Sequence, residues 1–210
     1  MRKEFGKKSI ALMMAMSLFA GGVIGGTVAW LADSTEVVTN TFAESNIDIT
    51  LTEENKGTDY VFDMVPGWTL DKDPLVTVEG DSEACWLFVQ IDESTSLKLS
   101  DYIAYAVDEE WTKGDGTDIP ANVYYRKVLS SADDQSFNVL GAGSHIYAGE
   151  TYSWADNEVL VKPDVTKNMM DVIDNTNKPK LTFKAYAVQL YKANNQEFTA
   201  KEAWAQKQTV

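Results

Sequence analysis

Strand-forming stretches recur along this chain at roughly 8–15-residue intervals, each closed by a turn signal, and that rhythm limits its fold more than any other feature. Asn46–Thr52 alternates, with Ile47, Ile49 and Leu51 on one face. Glu53–Thr58 is polar and predicts a turn, Tyr60–Phe62 follows, and Val65, Pro66 and Gly67 form the next turn signal. Leu75–Val78 is a short strand closed by Glu79, Gly80 and Asp81. Ala84–Ile91 is nearly all apolar, which predicts a central strand covered on both faces. Tyr102–Val107 is a further apolar stretch of strand character.

Lys113–Gly116 predicts a turn, and Val123–Leu129 a strand. Adjacent residues on a strand point to opposite faces, so at least one of Tyr124 and Tyr125 belongs to the core. Phe137–Leu140 and His145–Ala148 are short strands separated by Gly141–Gly143, and Glu158–Lys162 is another, ended by Pro163. Asp164–Ile173 predicts a short helix with Asp164 as its cap, followed by a polar turn over Asp174–Pro179. Leu181–Tyr191 is a long strand with Leu181, Phe183, Ala185, Ala187 and Gln189 on one side. Thr199 and Glu202 form a capping box that opens a terminal helix through Ala203, Trp204 and Ala205. Together these elements predict an all-β chain: an antiparallel β-sandwich with one or two short helices. A domain of this size buries roughly 70% of its unfolded-chain surface, enough for a core without staples.

The N-terminus has a different character. Arg2, Lys3, Lys7 and Lys8 precede an apolar run, Ile10–Ile24, and Thr27 and Ala29 are small residues placed for a cut between Ala29 and Trp30. This is the pattern of a secretory signal peptide. Ser9–Ala32 is also 24 residues without a charge, the length of a retained membrane anchor spanning about 30 Å of hydrocarbon. Gly21, Gly22, Gly25 and Gly26 weaken it as a helix and favour cleavage. The division expected is a signal peptide over 1–29, an N-terminal extension over 30–45 and a sandwich domain over 46–210. The chain has a net charge of -14, and residues 1–29 contribute four basic residues and one acidic. The rest therefore carries 14 basic against 31 acidic residues, net -17, and repels nucleic acid and anionic lipid. Membrane contact is expected only before signal cleavage.

Chemistry is sparse. The single histidine, His145, cannot form a His-Glu-x-x-His zinc pair, and no Gly-x-Ser-x-Gly elbow is present. Cys85, the one cysteine, lies in the most apolar stretch and reads as a buried small hydrophobe. Acidic clusters at Asp71–Asp73, Asp108–Glu110, Asp115–Asp118 and Asp133–Asp134 match no twelve-residue calcium loop. No catalytic residue, metal ligand or cofactor is expected.

Gly25–Ser34, then Asn40–Phe42, then Asn46–Leu51 resembles the secreted TasA/camelysin family of Gram-positive bacteria. There a SipW-type signal peptidase cuts near a Thr-x-Ala-x-Phe-x-Asp junction. Thr27, Ala29 and Asp33 match it, whereas Leu31 stands where the Phe is expected and Trp30 supplies an aromatic one place early. Val65–Gly67 with Asp71–Pro74 resembles the family's Pro-Gly element before a strand. Leu181–Gln189 with Ala203 and Trp204 resembles the C-terminal strand and helix of clostridial members. The resemblance implies a jelly-roll-like sandwich, export to the cell surface or biofilm matrix, and non-enzymatic assembly into fibres with itself or related matrix subunits. It implies donor-strand addition by the freed N-terminal segment, with Val37, Thr39 and Thr41 on one face of the strand and Phe42 on the other. The alternative for this segment is the first strand of the chain's own sandwich. Two further functions stand beside the fibre subunit: a monomeric surface module binding glycan or protein, and a camelysin-like secreted metalloprotease, for which no zinc ligand set is recognisable.

Overall fold

Cys85–Glu93 is a strand hydrogen-bonded on both sides along most of its length. The computed structural model in which it lies describes residues 36–37, 46–53, 64–94, 96–174, 177 and 179–207. In chain order the strands are β1 (Glu36–Val37), β2 (Ile49–Thr52), β3 (Thr69–Asp71), β4 (Leu75–Val78), β5 (Cys85–Glu93), β6 (Ile103–Ala104), β7 (Ala106–Val107) and β8 (Thr112–Lys113). They continue as β9 (Val123–Val128), β10 (Gln135–Asn138), β11 (Leu140–Gly141), β12 (Gly143–Tyr147), β13 (Glu150–Trp154) and β14 (Glu158–Val161). Helix α1 (Lys167–Asp171), strand β15 (Leu181–Gln189) and helix α2 (Ala200–Gln206) complete the order. The fold is all-β, as the strand rhythm predicts.

The largest sheet runs β1-β15-β5-β9-β8, and every pairing in it is antiparallel except the short parallel contact of β1 with β15. Smaller antiparallel sheets, β10-β4-β2, β3-β14-β6 and β11-β7, pack against its inner face. Backbone bonds from Val139 N to Pro74 O, Asp108 N to Val139 O and Asn157 N to Leu140 O link the small sheets. The core lies between the layers. β5 contributes Cys85, Leu87, Val89 and Ile91, β15 contributes Leu181, Phe183, Ala185 and Ala187, and opposite them lie Leu51, Val76, Val78, Val159 and Val161. Each fully buried Val, Leu or Phe side chain here stabilises the fold by roughly 1.5–3 kcal/mol.

The outer face of the large sheet is covered where α2 crosses it. Phe88 of β5 and Tyr186 and Val188 of β15 pack with Ala203 and Trp204. The Trp204 ring stands 5.2 Å from Phe88 and 5.8 Å from Tyr186, the latter edge-on at 88°, a favoured aromatic geometry. The capping box forms as expected: Glu202 N donates to Thr199 Oγ1 and Thr199 N to Glu202 Oε2. Trp86 Nε1 donates to Phe198 O at 2.7 Å and ties the approach to the helix down. Among the described residues no helix is long and apolar enough to cross a membrane; Ser9–Ala32 lies outside them.

Several expected elements differ in detail. Tyr102–Val107 is not one strand: β6 pairs with β14 and β7 with β11, so the chain changes partner at Tyr105. Phe137–Leu140 divides in the same way, β10 pairing with β4 and β11 with β7. Helix α1 is capped by Thr166, which accepts from Met169 N, and Asp164 precedes the cap. Strand β13 has no counterpart in the sequence pattern. It pairs with β12 across Ala148 and Gly149, whose φ values of 52° and 87° suit a two-residue hairpin turn with positive φ at both centres. A Cβ on Gly143 would run into the Trp154 ring, which fixes that hairpin's base.

Candidate functional site

The outer edge of β15 is where the extension expected to act in strand addition meets the large sheet. Its phase follows from two backbone bonds, Ser94 N to Lys180 O and Leu190 N to Ala84 O. In an antiparallel pair, alternate residues exchange both bonds, so the even-numbered residues of β15 face β5. The odd-numbered residues Leu181, Phe183, Ala185, Ala187 and Gln189 therefore direct N–H and C=O to the opposite edge, while their side chains point between the layers. Among the described residues, β1 meets that edge at two of the nine positions, Glu36 opposite Lys184 and Val37 opposite Ala185, running parallel. An edge with unpaired donors and acceptors is a template for another strand. Of the residues expected to act in strand addition, Val37 is thus placed beside β15 in its own chain. Thr39, Thr41 and Phe42 lie outside the described residues, as do Ala29 and Trp30 at the expected cut.

Beneath this edge the core is not wholly apolar. Lys72 Nζ stands 5.5 Å from the centre of the Phe183 ring and 2.6 Å from Glu53 Oε1, and both side chains are about as buried as the aliphatic core, 3% and 5% exposed. Glu53, predicted to begin a solvent-facing turn, is instead taken inside. A carboxylate enters such a place only with a cation to meet it.

Burial alone pushes the Cys85 thiol up to about 12, so it is neither nucleophile nor ligand at neutral pH. His145 lies on β12 opposite Tyr152, in the β12–β13 hairpin. Asp115 Oδ1 accepts from the backbone of Thr117, Asp118 and Ile119, and these bonds, led by that from Thr117, lower its pKa. Asp108 accepts from Glu110 N and braces its own turn, whereas Asp134 accepts from Gly80 N and ties its loop to the turn after β4. Among the described residues, no three His, Cys, Asp or Glu are grouped to hold a metal ion.

One cleft escaped the sequence pattern. It holds about 340 Å3 where β5 ends and β9 begins, with Tyr105 closing it from the other layer. Asp92 accepts from Gln90 Nε2 at 2.8 and 3.0 Å, from Asn122 Nδ2 at 2.9 Å and from Lys184 Nζ at 3.3 Å. Tyr105 OH donates to Glu93 Oε1 at 2.9 Å. Burial, reinforced by that carboxylate, raises the Tyr105 hydroxyl far above its ordinary range. The Lys113 ammonium lies 5.9 Å from the Tyr124 ring centre. These residues come from separate segments, each unremarkable alone. No family model, no curated protein and no solved structure matches this chain.

Proposed function

We propose that this chain is a secreted, non-enzymatic structural protein of the cell surface or biofilm matrix, a fibre subunit that joins head to tail by strand addition. In this reading it is a jelly-roll-like sandwich, released after Ala29 by a SipW-type peptidase. The carrying observation is the β15 edge, whose nine residues pair fully with β5 on one side and at two described positions with β1 on the other. The segment already lying there belongs to the extension expected to be freed by cleavage. Replacing a chain's own Glu36 and Val37 with those of its neighbour would keep the described pairing with β15 and make a contact that does not close on itself. Deleting residues 30–45 from the mature chain is expected to leave a cooperatively folded monomer that forms no fibres by electron microscopy. Fibres formed as before would sink strand addition.

The Tyr105–Tyr124 cleft favours a second reading, a monomeric surface binding module. Size-exclusion profiles across concentration separate the two, since persistent monomer supports the module.

A further inference from the structure

We propose that the cleft between the end of β5 and the start of β9 binds a neutral polyhydroxyl ligand, a sugar or short oligosaccharide. Its volume, about 340 Å3, is within the range of about 300–1,000 Å3 usual for small-ligand sites. Its lining is mixed in the way such a ligand needs. A hydroxyl both donates and accepts, and a sugar carries several on a ring whose C–H groups pack on aromatic faces.

The cleft presents each partner. Lys113 offers ammonium donors from an exposed side chain, with the Tyr124 ring beside it. Asn122 uses an amide N–H on Asp92 and keeps a carbonyl oxygen to offer. Glu93 takes the Tyr105 hydroxyl on Oε1 and has Oε2 to accept another. The rings of Tyr105 and Tyr124 supply the apolar wall.

Charge weighs against the other ligand classes. An anion meets Asp92 and Glu93 on a chain of net charge -14. A cation finds the Asp92 oxygens already engaged by Gln90, Asn122 and Lys184, only Glu93 Oε2 left to it, and an ammonium already beside Tyr124. A neutral ligand with many hydroxyls matches this mixed lining best. The site lies away from the β15 edge backbone and holds whether the chain is a fibre subunit or a monomer.

The test is a titration of the purified, isotope-labelled chain with cellotriose, maltotriose and chitotriose, read by amide NMR. At least one is expected to move the Asn122 side-chain amide together with the Lys113 and Tyr124 backbone amides, with Kd of about 1 mM. Asn122→Ala and Lys113→Ala, both at exposed positions, are expected to weaken that binding at least about tenfold without changing Tm. Three results overturn the proposal: no shift at these residues up to about 20 mM of any of the three, binding unchanged in both variants, or arginine ethyl ester binding there more tightly than the sugars. Deletion of residues 30–45 leaves sugar binding intact, so failure of fibre assembly and failure of this site are told apart.

Discussion

β5 and β15 are matched strands with different neighbours. Each has nine residues, each alternates between the inter-layer core and an outer face under α2, and each pairs with the other along its full length. Among the described residues, the second neighbours differ: β5 has β9 opposite Cys85 through Gln90, whereas β15 has β1 opposite Lys184 and Ala185. Burial of side chains therefore does not separate a strand paired on both edges from one whose outer edge is matched at two described positions. The separation lies in where the backbone donors of the odd-numbered residues go. In β5 they are spent within the sheet, and Ile91 N donating to Asn122 O continues the β9 ladder past its last paired residue. In β15 they reach the rim of the sheet.

Proline tests that difference most strongly, because it removes one donor and leaves the strand's φ nearly acceptable. Leu87→Pro deletes a bond to β9 and a fully buried side chain, and is expected to cost more than about 5 kcal/mol and abolish cooperative urea unfolding. Ala187→Pro deletes a donor that has no strand partner among the described residues, and puts a larger ring at a buried alanine. It is expected to keep cooperative unfolding at a cost of about 1–3 kcal/mol while lowering the yield of fibres. Equal destabilisation by the two prolines would mean that the β15 rim is as fully paired as the interior of the sheet.

The inner faces differ as well, and here the expected effect is smaller. The β5 side chains between the layers are apolar, whereas Phe183 of β15 has the Lys72 ammonium against its ring and Glu53 behind it. Lys72→Met leaves a buried carboxylate facing a thioether and is expected to cost about 3–5 kcal/mol in urea unfolding at pH 7. Lys72→Met combined with Glu53→Leu removes both charges and is expected to recover most of that loss. A double variant no more stable than the single would show that the pair does more than neutralise itself, such as fixing how β2 meets the β3–β4 connection.

Much of this layout is legible in the residues because it is local. Ala84–Ile91 is too apolar for any strand with a wet face, and the Thr199–Glu202 box needs only four residues to declare a helix start. What escaped depends on partners far along the chain. Tyr102–Val107 is uniformly apolar, so nothing local shows that Tyr105 turns between two sheets. Glu53 looks solvent-facing until Lys72 is brought against it. Strand β13 is polar, and its turn uses Ala148 and Gly149 in place of the Asn-Gly that marks such hairpins. Thr166 and Asp164 are both good caps, and only the bond from Met169 N decides between them. The Asp92–Tyr124 cleft is assembled from side chains of which none is unusual in its own segment.

The smallest effect concerns the outer face that β5 and β15 share, and it depends on pH. Hydrogen bonding from the Lys192 side chain, then from the Thr199 backbone and hydroxyl, lowers Glu202 from 4.5 to about 2. A carboxyl whose pKa is depressed on folding stabilises the folded state above its unfolded pKa, and that contribution disappears as the pH falls through the folded value. The grip of α2 on Tyr186, Val188 and Phe88 should accordingly be full above about pH 4.5 and weaken progressively towards pH 2. Hydrogen-exchange protection of Ala203 N, which donates to Thr199 O, reads that grip once intrinsic rates are removed. Glu202→Gln should start from lower protection and lose little of it over the same range. If the native chain and this variant lose protection in parallel, the acid sensitivity of α2 comes from elsewhere on this acidic surface.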